Sequence, residues 1–589
     1  MIKKRMLHFA AALVFVFSLT ACVETNSAAR STEQTSARTA KARGKQSDEV
    51  KLTHKIIQKG QPGADAVTLT FGVTGDVHGR LYAYDYAVCE ETAASGLVKT
   101  YVLAQELRAQ NPNTVLIDVG DTVQDNSADL FNDLDTHPMI QALNYMNYDI
   151  WVLGNHEFNF EKEFLARNIR HFNGSVLSAN IKNTKDGSHF VLPYQLFDIE
   201  GVRVAVIGMV PPHIPMWEAA APSHFKGLEF EDPIAVARKT VDSLKGQYDV
   251  LIGAFHLGRN GEYGTNSGVI EMAKQIPEFD LIFGGHEHAR YATLIDGQNG
   301  DKTWIIEPGC YGWALAVGEV QVKKDNGAWK VVSVKAENRE TAKIAADKAM
   351  EKEFDFVHDK SVADANLIVG KVTADFIPRV DYITGEDKVT TMPTIQLEDT
   401  ATLMGVNMTG ENLLKYMEWS ASYYNTAKEG DVTISFNPNV RGYNYDMFEG
   451  IDYDIDISQE AGNRIKNVKI KGQALDPKKV YKVAVNNYRF GTLQNLKLAT
   501  PQDVYYDSYE VMQDAGRIRD LIGAYVKKVD KGVITPKVNY NWKIIGFDPN
   551  VEGKDKILDE IRAGTIKIPA SADGRTPNIK SINIHELKK

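Results

Sequence analysis

The chain has 589 residues, 67 of them Lys or Arg and 77 Asp or Glu, giving a net charge of −10 with 43% hydrophobic and 24% charged residues. This is the balance of a globular protein of two or three domains, and it excludes collagen-like, wholly disordered and polytopic membrane chains. The acidic surplus argues against a broad nucleic-acid surface, and three cysteines are too few for a disulfide framework or a four-thiolate zinc site, so any metal must be held by His, Asp, Glu and Asn.

Residues 1–21 read as an export signal: Lys3, Lys4 and Arg5 precede an apolar run from Met6 to Leu19, and small residues follow. The run is short for a membrane-spanning helix. Leu19-Thr20-Ala21-Cys22 resembles a bacterial lipobox, which implies cleavage before Cys22, its acylation, and a lipid anchor in the membrane at the cell envelope. Residues 22–65 are expected to form a flexible tether, because Val23 to Asp48 holds almost nothing apolar to offset its ordering entropy. Cys89 and Cys310 remain; the sequence leaves open whether they pair.

From 66 to about 335 short apolar runs alternate with helical spacing. Strands are expected at Leu69 to Val73, Thr114 to Ile117, Ile150 to Leu153, Val202 to Ile207, Val250 to Ile252 and Leu281 to Phe283, with a helix over Leu97 to Leu107. The alternation predicts an α/β layered fold with parallel strands and crossover helices. Polar residues follow the strands: Gly75-Asp76-Val77-His78-Gly79, Gly120-Asp121, Gly154-Asn155-His156-Glu157, His256, and Gly284-Gly285-His286-Glu287-His288. The carboxyl ends of parallel strands share one edge, so Asp76, His78, Asp121, Asn155, His256, His286 and His288 are expected to converge. This mixed oxygen and nitrogen set suits Zn, Mn, Fe or Co. Two ions about 3.5–4 Å apart, bridged by one carboxylate, are the arrangement that clamps an in-line phosphoryl displacement.

These motifs together resemble the calcineurin-like metallophosphoesterases, and among them the bacterial 5′-nucleotidase and 2′,3′-cyclic-nucleotide 2′-phosphodiesterase/3′-nucleotidase family. The resemblance extends through Tyr443 to Gly450, Gly462-Asn463-Arg464-Ile465, Asn486-Asn487-Tyr488-Arg489 and Asp573 to Asn578. It implies two divalent ions, the first on Asp76, His78 and His288, the second on Asn155, His256 and His286, with Asp121 between them. It also implies that His156 is the catalytic histidine, stabilising phosphate charge and assisting the leaving oxygen. Its partner three residues on is Asn159 where the 5′-nucleotidase branch has aspartate, which favours the cyclic phosphodiesterase branch.

A linker helix is expected over 336–365, an α+β substrate domain over 366–541 and a tail over 542–589. Gly410 to Tyr424 reads as an amphipathic helix and Lys479 to Val485 as a strand. The resemblance implies that nucleotides or cyclic nucleotides are gripped between two aromatic rings. Tyr488 is one, with Asn487 beside it and Tyr445 a weaker candidate. The stretch Leu397 to Met404, where the other ring is expected, has no aromatic, and the chain from Arg379 to Thr402 is shorter than the family's, as by an internal deletion near Ala401. Loss of one stacking face predicts a raised KM and little base preference. The expected activity is a 2′,3′-cyclic-nucleotide 2′-phosphodiesterase/3′-nucleotidase; a 5′-nucleotidase, a general phosphodiesterase and a non-catalytic metal- or nucleotide-binding lipoprotein are the alternatives.

Overall fold

The apolar runs pair into two sheets in the computed structural model, which describes residues 55–587 apart from 88, 220, 263–266, 299, 367–370, 373–376, 381–386, 391–400, 441, 513–515, 535–538, 549 and 572–575. The export signal, Cys22, most of the tether, Leu397 to Thr400 and Asp573 to Arg575 therefore lie outside the described residues.

One sheet has six strands, in the order Ala328–Glu340, Ala314–Asp325, Ala66–Thr74, Val115–Asp118, Ile150–Val152 and Ser175–Leu177. The last four run parallel, and the first two form an antiparallel hairpin on their edge. The other sheet has seven, in the order Ile56–Lys59, Tyr194–Ile199, Val202–Met209, Val250–Phe255, Leu281–Phe283, Lys302–Pro308 and Arg290–Asp296. Its four strands from Val202–Met209 to Lys302–Pro308 are parallel, before the antiparallel return at Arg290. The sequence pattern alone suggests one parallel sheet for the site-bearing strands; they are divided between two mixed ones. Leu69, Phe71 and Val73 of the first sheet pack against Val204, Val206, Ile252 and Phe283 of the second. Helices cover both outer faces, so most of these strands are buried on both sides and read as unbroken apolar runs. The helix Leu97–Gln110 buries Leu97, Leu103, Ala104 and Leu107 at helical spacing.

Three expected boundaries move. Ile56–Lys59 pairs in parallel with Tyr194–Ile199, so the tether expected to reach residue 65 gives way earlier to an edge strand, with Ile57 against the sheet core. The expected linker begins inside the Ala328–Glu340 strand, and its helical part is two short helices, Lys348–Glu353 and Asp355–Ala365. Met350, Phe354 and Val357 bury themselves in the first domain's core, so this segment is part of that domain's wall. The expected tail is folded: Trp542–Ile545 pairs with Asp452–Asp456, and Ile557, Leu558, Ile582 and Ile584 bury a small cluster on Val432.

The second domain is α+β. A three-stranded sheet, Val480–Asn486, Leu403–Thr409, Val504–Asp507, and a four-stranded one carrying Asp452–Asp456 enclose the helix Gly410–Ala421. Buried Arg464 donates to the carbonyls of Ala421 and Tyr424 at 2.8 and 2.6 Å, and Asn578 donates to Ile434 O at 2.5 Å, so these two motif residues hold the fold. The domains meet where Asn495 Nδ2 donates to Met216 O at 3.0 Å and where Arg517 pairs with Asp129. Among the described residues no helix is long and apolar enough to cross a membrane, and no disulfide joins Cys89 to Cys310.

If residues 542–589 are integral to the second domain, Leu558→Ala should lower its stability by about 2 kcal/mol, the low end for a large-to-small core change. The urea midpoint measures this; an unchanged midpoint would mean that the segment is not packed.

Candidate metal centre

Each candidate ligand sits in the turn just after a buried strand. Asp76 and His78 follow Ala66–Thr74, Asp121 follows Val115–Asp118, Asn155 and His156 follow Ile150–Val152, His256 follows Val250–Phe255, and His286 and His288 follow Leu281–Phe283. Five of these residues are left-handed: φ is 51° at Asp76, 48° at His78, 55° at Asp121, 79° at His286 and 58° at His288. Asp and His tolerate that region better than most, but each still costs on the order of 1 kcal/mol. Such outliers cluster where function requires a side chain to be aimed. The turns also pass very close. A Cβ on Gly154 would lie 2.3 Å from Asp121 Oδ1, so glycine is required there.

All seven expected ligands converge. His78 Nε2 lies 2.9 Å from His288 Nε2, and His288 Nε2 lies 3.4 Å from Asp76 Oδ1. On the other side, His256 Nε2 is 3.0 Å from Asp121 Oδ2 and 3.1 Å from Asn155 Oδ1, and His286 Nδ1 is 2.8 Å from Asn155 Oδ1. Asp121 stands between the groups, with His78 Nε2 at 3.9 Å from its Oδ2. Asp76–His78–His288 and Asp121–His256–His286 each place ligand atoms within 4.8 Å of one another.

The donor chemistry fits divalent cations. Three of the histidines have their outward nitrogen against an acceptor: His256 Nδ1 against Val119 O at 2.7 Å, His78 Nδ1 against Gln124 Oε1 at 3.1 Å, and His286 Nε2 against Glu262 Oε2 at 3.1 Å. The proton is thereby placed outside and the lone pair inside, the usual second layer of a metal site. Burial, aided by the neighbouring His156 and His288 and opposed by Asp121, holds His78 well below the ordinary histidine range, in the neutral form that binds metal. Burial pushes the Asp121 carboxyl up, but its interactions with His256 and His156 outweigh burial and hold the group well below the carboxylate range. It is an anion among imidazoles.

Glu157 ties the two turns together from beneath. It is fully buried, and its carboxylate accepts from the backbone N–H groups of Asp121 at 2.9 Å, Thr122 at 2.7 Å and Gly154 at 2.6 Å. In the sequence Glu157 is one more residue of its motif with no task of its own, because a clamp on distant amides leaves no local signature.

His156 lies at the mouth of the cluster, its Nε2 4.0 Å from Asp121 Oδ2 and its backbone N–H donating to Asp121 Oδ1 at 2.7 Å. A cavity of about 2910 Å³ opens there, lined by Asn155, His156, His286 and His288 from the first domain and by Tyr445, Asn487, Tyr488 and Tyr509 from the second. Tyr488 is 41% exposed, with the Arg489 guanidinium 5.9 Å from its ring centre. Arg489 is itself fixed by Asp446 at 2.6 and 3.1 Å. Asn487 is occupied in the fold: its Oδ1 accepts from Thr402 N–H at 3.1 Å. The Tyr445 ring stacks on Tyr423, with centroids 5.4 Å apart.

Tyr509 is an addition that the sequence does not suggest. Val480–Asn486 and Val504–Asp507 flank Leu403–Thr409 and are both antiparallel to it, with Asn486 opposite Leu403 and Asp507 opposite Met404. Both outer strands thus end at the same edge, and each runs straight into a helix, Asn487–Asn495 and Ser508–Met512. Tyr488 and Tyr509 are the second residues of those helices. Two strand spacings, roughly 9.5 Å, separate their backbones.

The Glu157 clamp generates a prediction. Glu157→Gln turns an amide N–H toward backbone donors, so stability should fall by about 1–3 kcal/mol, and metal retained after dialysis should fall with it. Unchanged metal content by elemental analysis would show that the clamp does not support the ligands.

Residues 69–290 match the calcineurin-like phosphoesterase family, and residues 323–499 match the 5′-nucleotidase C-terminal domain. The chain is 26% identical to the trifunctional nucleotide phosphoesterase protein YfkN of Bacillus subtilis, over 82% of this chain but only 39% of that protein's length. It is 25% identical to a 2′,3′-cyclic-nucleotide 2′-phosphodiesterase/3′-nucleotidase of Yersinia enterocolitica, over 82% of this chain and 89% of that one. The crystal structure of a 5′-nucleotidase precursor from Thermus thermophilus superposes with a TM-score of 0.60 at 20% identity, over 82% of this chain and all of that one, and supports the fold. The chain belongs to the calcineurin-like metallophosphoesterases that carry a 5′-nucleotidase C-terminal domain, hydrolases of phosphoric esters that work with two divalent metal ions.

Proposed function

We propose that the chain hydrolyses nucleotide phosphoesters at this centre, with 2′,3′-cyclic nucleotides and then 3′-nucleotides as its substrates. The observation that carries the reading is the shared cavity, which joins the ligand cluster and His156 to the Tyr488 and Tyr509 wall. The name of the Yersinia relative supports the ester class. A 5′-nucleotidase is the second reading, favoured by the family match of residues 323–499.

In this reading Asp76, His78 and His288 would hold one ion and Asn155, His256 and His286 the other, with Asp121 available to both. Ions bound there supply Lewis acidity and a nucleophilic water at neutral pH, suited to in-line displacement at phosphorus. His156, held at the cluster's mouth, presents Nε2 to the phosphoryl group; with a proton on each ring nitrogen, the Nδ1 one directed at Asn159 Oδ1, it stabilises developing charge and hands the Nε2 proton to the leaving oxygen. Tyr488 stacks on the base, and Tyr509 is the second face, replacing the ring absent from Leu397 to Met404. The Arg489 charge is committed to Asp446, so Arg489 braces the Tyr488 wall and is not a phosphate ligand. Residues 1–21 support export, and Cys22 supports a lipid anchor.

The test is kcat/KM, in excess Mn, for 2′,3′-cyclic AMP, 3′-AMP, 5′-AMP and a small chromogenic diester. The cyclic nucleotide should be used best and Asp121→Ala should abolish turnover of all four. Tyr488→Ala and Tyr509→Ala should each lower kcat/KM for nucleotides about tenfold, the worth of one stacked ring, and spare the small diester. Preference for 5′-AMP would favour the second reading, and equal losses on the diester would mean that the tyrosines support the fold.

A further inference from the structure

His156 does not meet a carboxylate directly. Its Nδ1 lies 2.5 Å from Asn159 Oδ1, and Asn159 Nδ2 donates to Glu218 Oε1 at 2.6 Å. The two contacts can be read with one polarity. An ionised carboxylate only accepts hydrogen bonds, so the amide must turn its NH₂ toward Glu218. Its carbonyl oxygen then faces the imidazole and also only accepts, so His156 carries a proton on Nδ1. Nε2 is left to face the cluster, where it lies 4.0 Å from Asp121 Oδ2. Without Glu218 nothing in this chain of contacts sets the amide's direction. A flipped Asn159 would offer N–H to Nδ1 and favour the opposite tautomer, with Nε2 protonated in the neutral ring.

The Glu218 end is built to stay in place. Glu218 follows the short helix Ile214–Trp217, whose Trp217 ring stacks on the ligand His286 at 5.2 Å. Its side chain is 17% exposed, and its other oxygen lies 3.8 Å from His224 Nδ1, a nitrogen that also meets Phe158 O at 3.0 Å. Asn159 is the closing residue of the His156–Phe158 turn, its backbone N–H donating to His156 O at 3.2 Å. The turn and the Glu218 loop are thus pinned to each other and to the site.

We propose that Glu218 is a positioning residue which, through Asn159, fixes the tautomer and aim of His156. It does across two residues what an aspartate at position 159 would do alone. The proposal rests on His156 acting in the proposed hydrolysis, and its test includes a measurement that does not require turnover.

In the metal-loaded protein, Glu218→Ala should lower kcat on the chromogenic diester and on 2′,3′-cyclic AMP by about 10- to 100-fold, the scale of losing an outer partner that orients an active-site group. KM and metal content should stay within about twofold. Glu218→Gln, which can accept from Asn159 but does not compel that direction, should recover only part of the rate. Asn159→Asp alone sets two carboxylates against each other and should be slow. Combined with Glu218→Gln it should be restored, because the glutamine amide then donates to the carboxylate at position 159, which in turn accepts from His156. The imidazole ¹⁵N shifts of His156 read the tautomer directly: Nδ1 should carry the proton in the wild type and lose it in part in Glu218→Ala. Unchanged kcat in Glu218→Ala, a double variant as slow as Asn159→Asp, or identical ¹⁵N shifts would each overturn the proposal. An inactive wild type would overturn the proposed hydrolysis instead, and the ¹⁵N shifts would still decide the role of Glu218.

Discussion

The centre depends on one constraint: polar side chains from both sheets must be aimed at one point while the backbone behind them is held in an unfavourable conformation. Asp76, His78, Asp121, His286 and His288 are all left-handed. A flexible loop would relax out of such turns. Here each turn follows a strand whose closing residues are buried, and the sandwich core between the sheets fixes where those strands end. Glu157 adds a direct tie between the Asp121 and Gly154 turns. Bringing Asp121 among His78, His156 and His256 leaves a concentrated set of donors with their lone pairs inward, which bound cations satisfy.

The second domain meets this rigid centre with a wall of its own. Asp446 binds Arg489 and also accepts from Tyr416 Oη at 2.6 Å, so the base of the wall is a charge-assisted network with little freedom. The rings stand at the ends of strands of one small sheet, where register, and not loop conformation, sets their spacing. In the proposed reading the phosphate end of a substrate is served by one domain and the base end by the other. Domain contacts through Asp129 and Arg517, and through Met216 and Asn495, bear on how the two ends line up.

Much of the centre is legible in the sequence because of burial. Strands covered on both faces appear as continuous apolar runs, and a polar group at the end of such a run stands out, as Asp121 does after Val115 to Asp118. Division of the strands between two sheets is not legible, since pairing partners are set by contacts remote in sequence. The wall formed by Met350, Phe354 and Val357 is hidden in a segment that reads as polar, although their spacing is helical. The folded carboxyl-terminal segment depends on Ile557 and Leu558 meeting Ile582, Ile584 and Val432, a cluster whose members are individually ordinary. Glu218 leaves no signal near Asn159, from which it is 59 positions distant. The stretch before Met404 reads as lacking a stacking ring, and that Tyr509 follows a strand of the same small sheet as Tyr488 is legible only in three dimensions.

The central claim is that Asp121 joins two metal ions in one centre. Electron paramagnetic resonance of the chelator-stripped chain reloaded with Mn(II) tests it directly. The account predicts saturation at two ions per chain with the spectrum of an exchange-coupled pair, and loss of that coupling in Asp121→Asn. A single uncoupled six-line signal, at one ion per chain or from two independent ions, would contradict it.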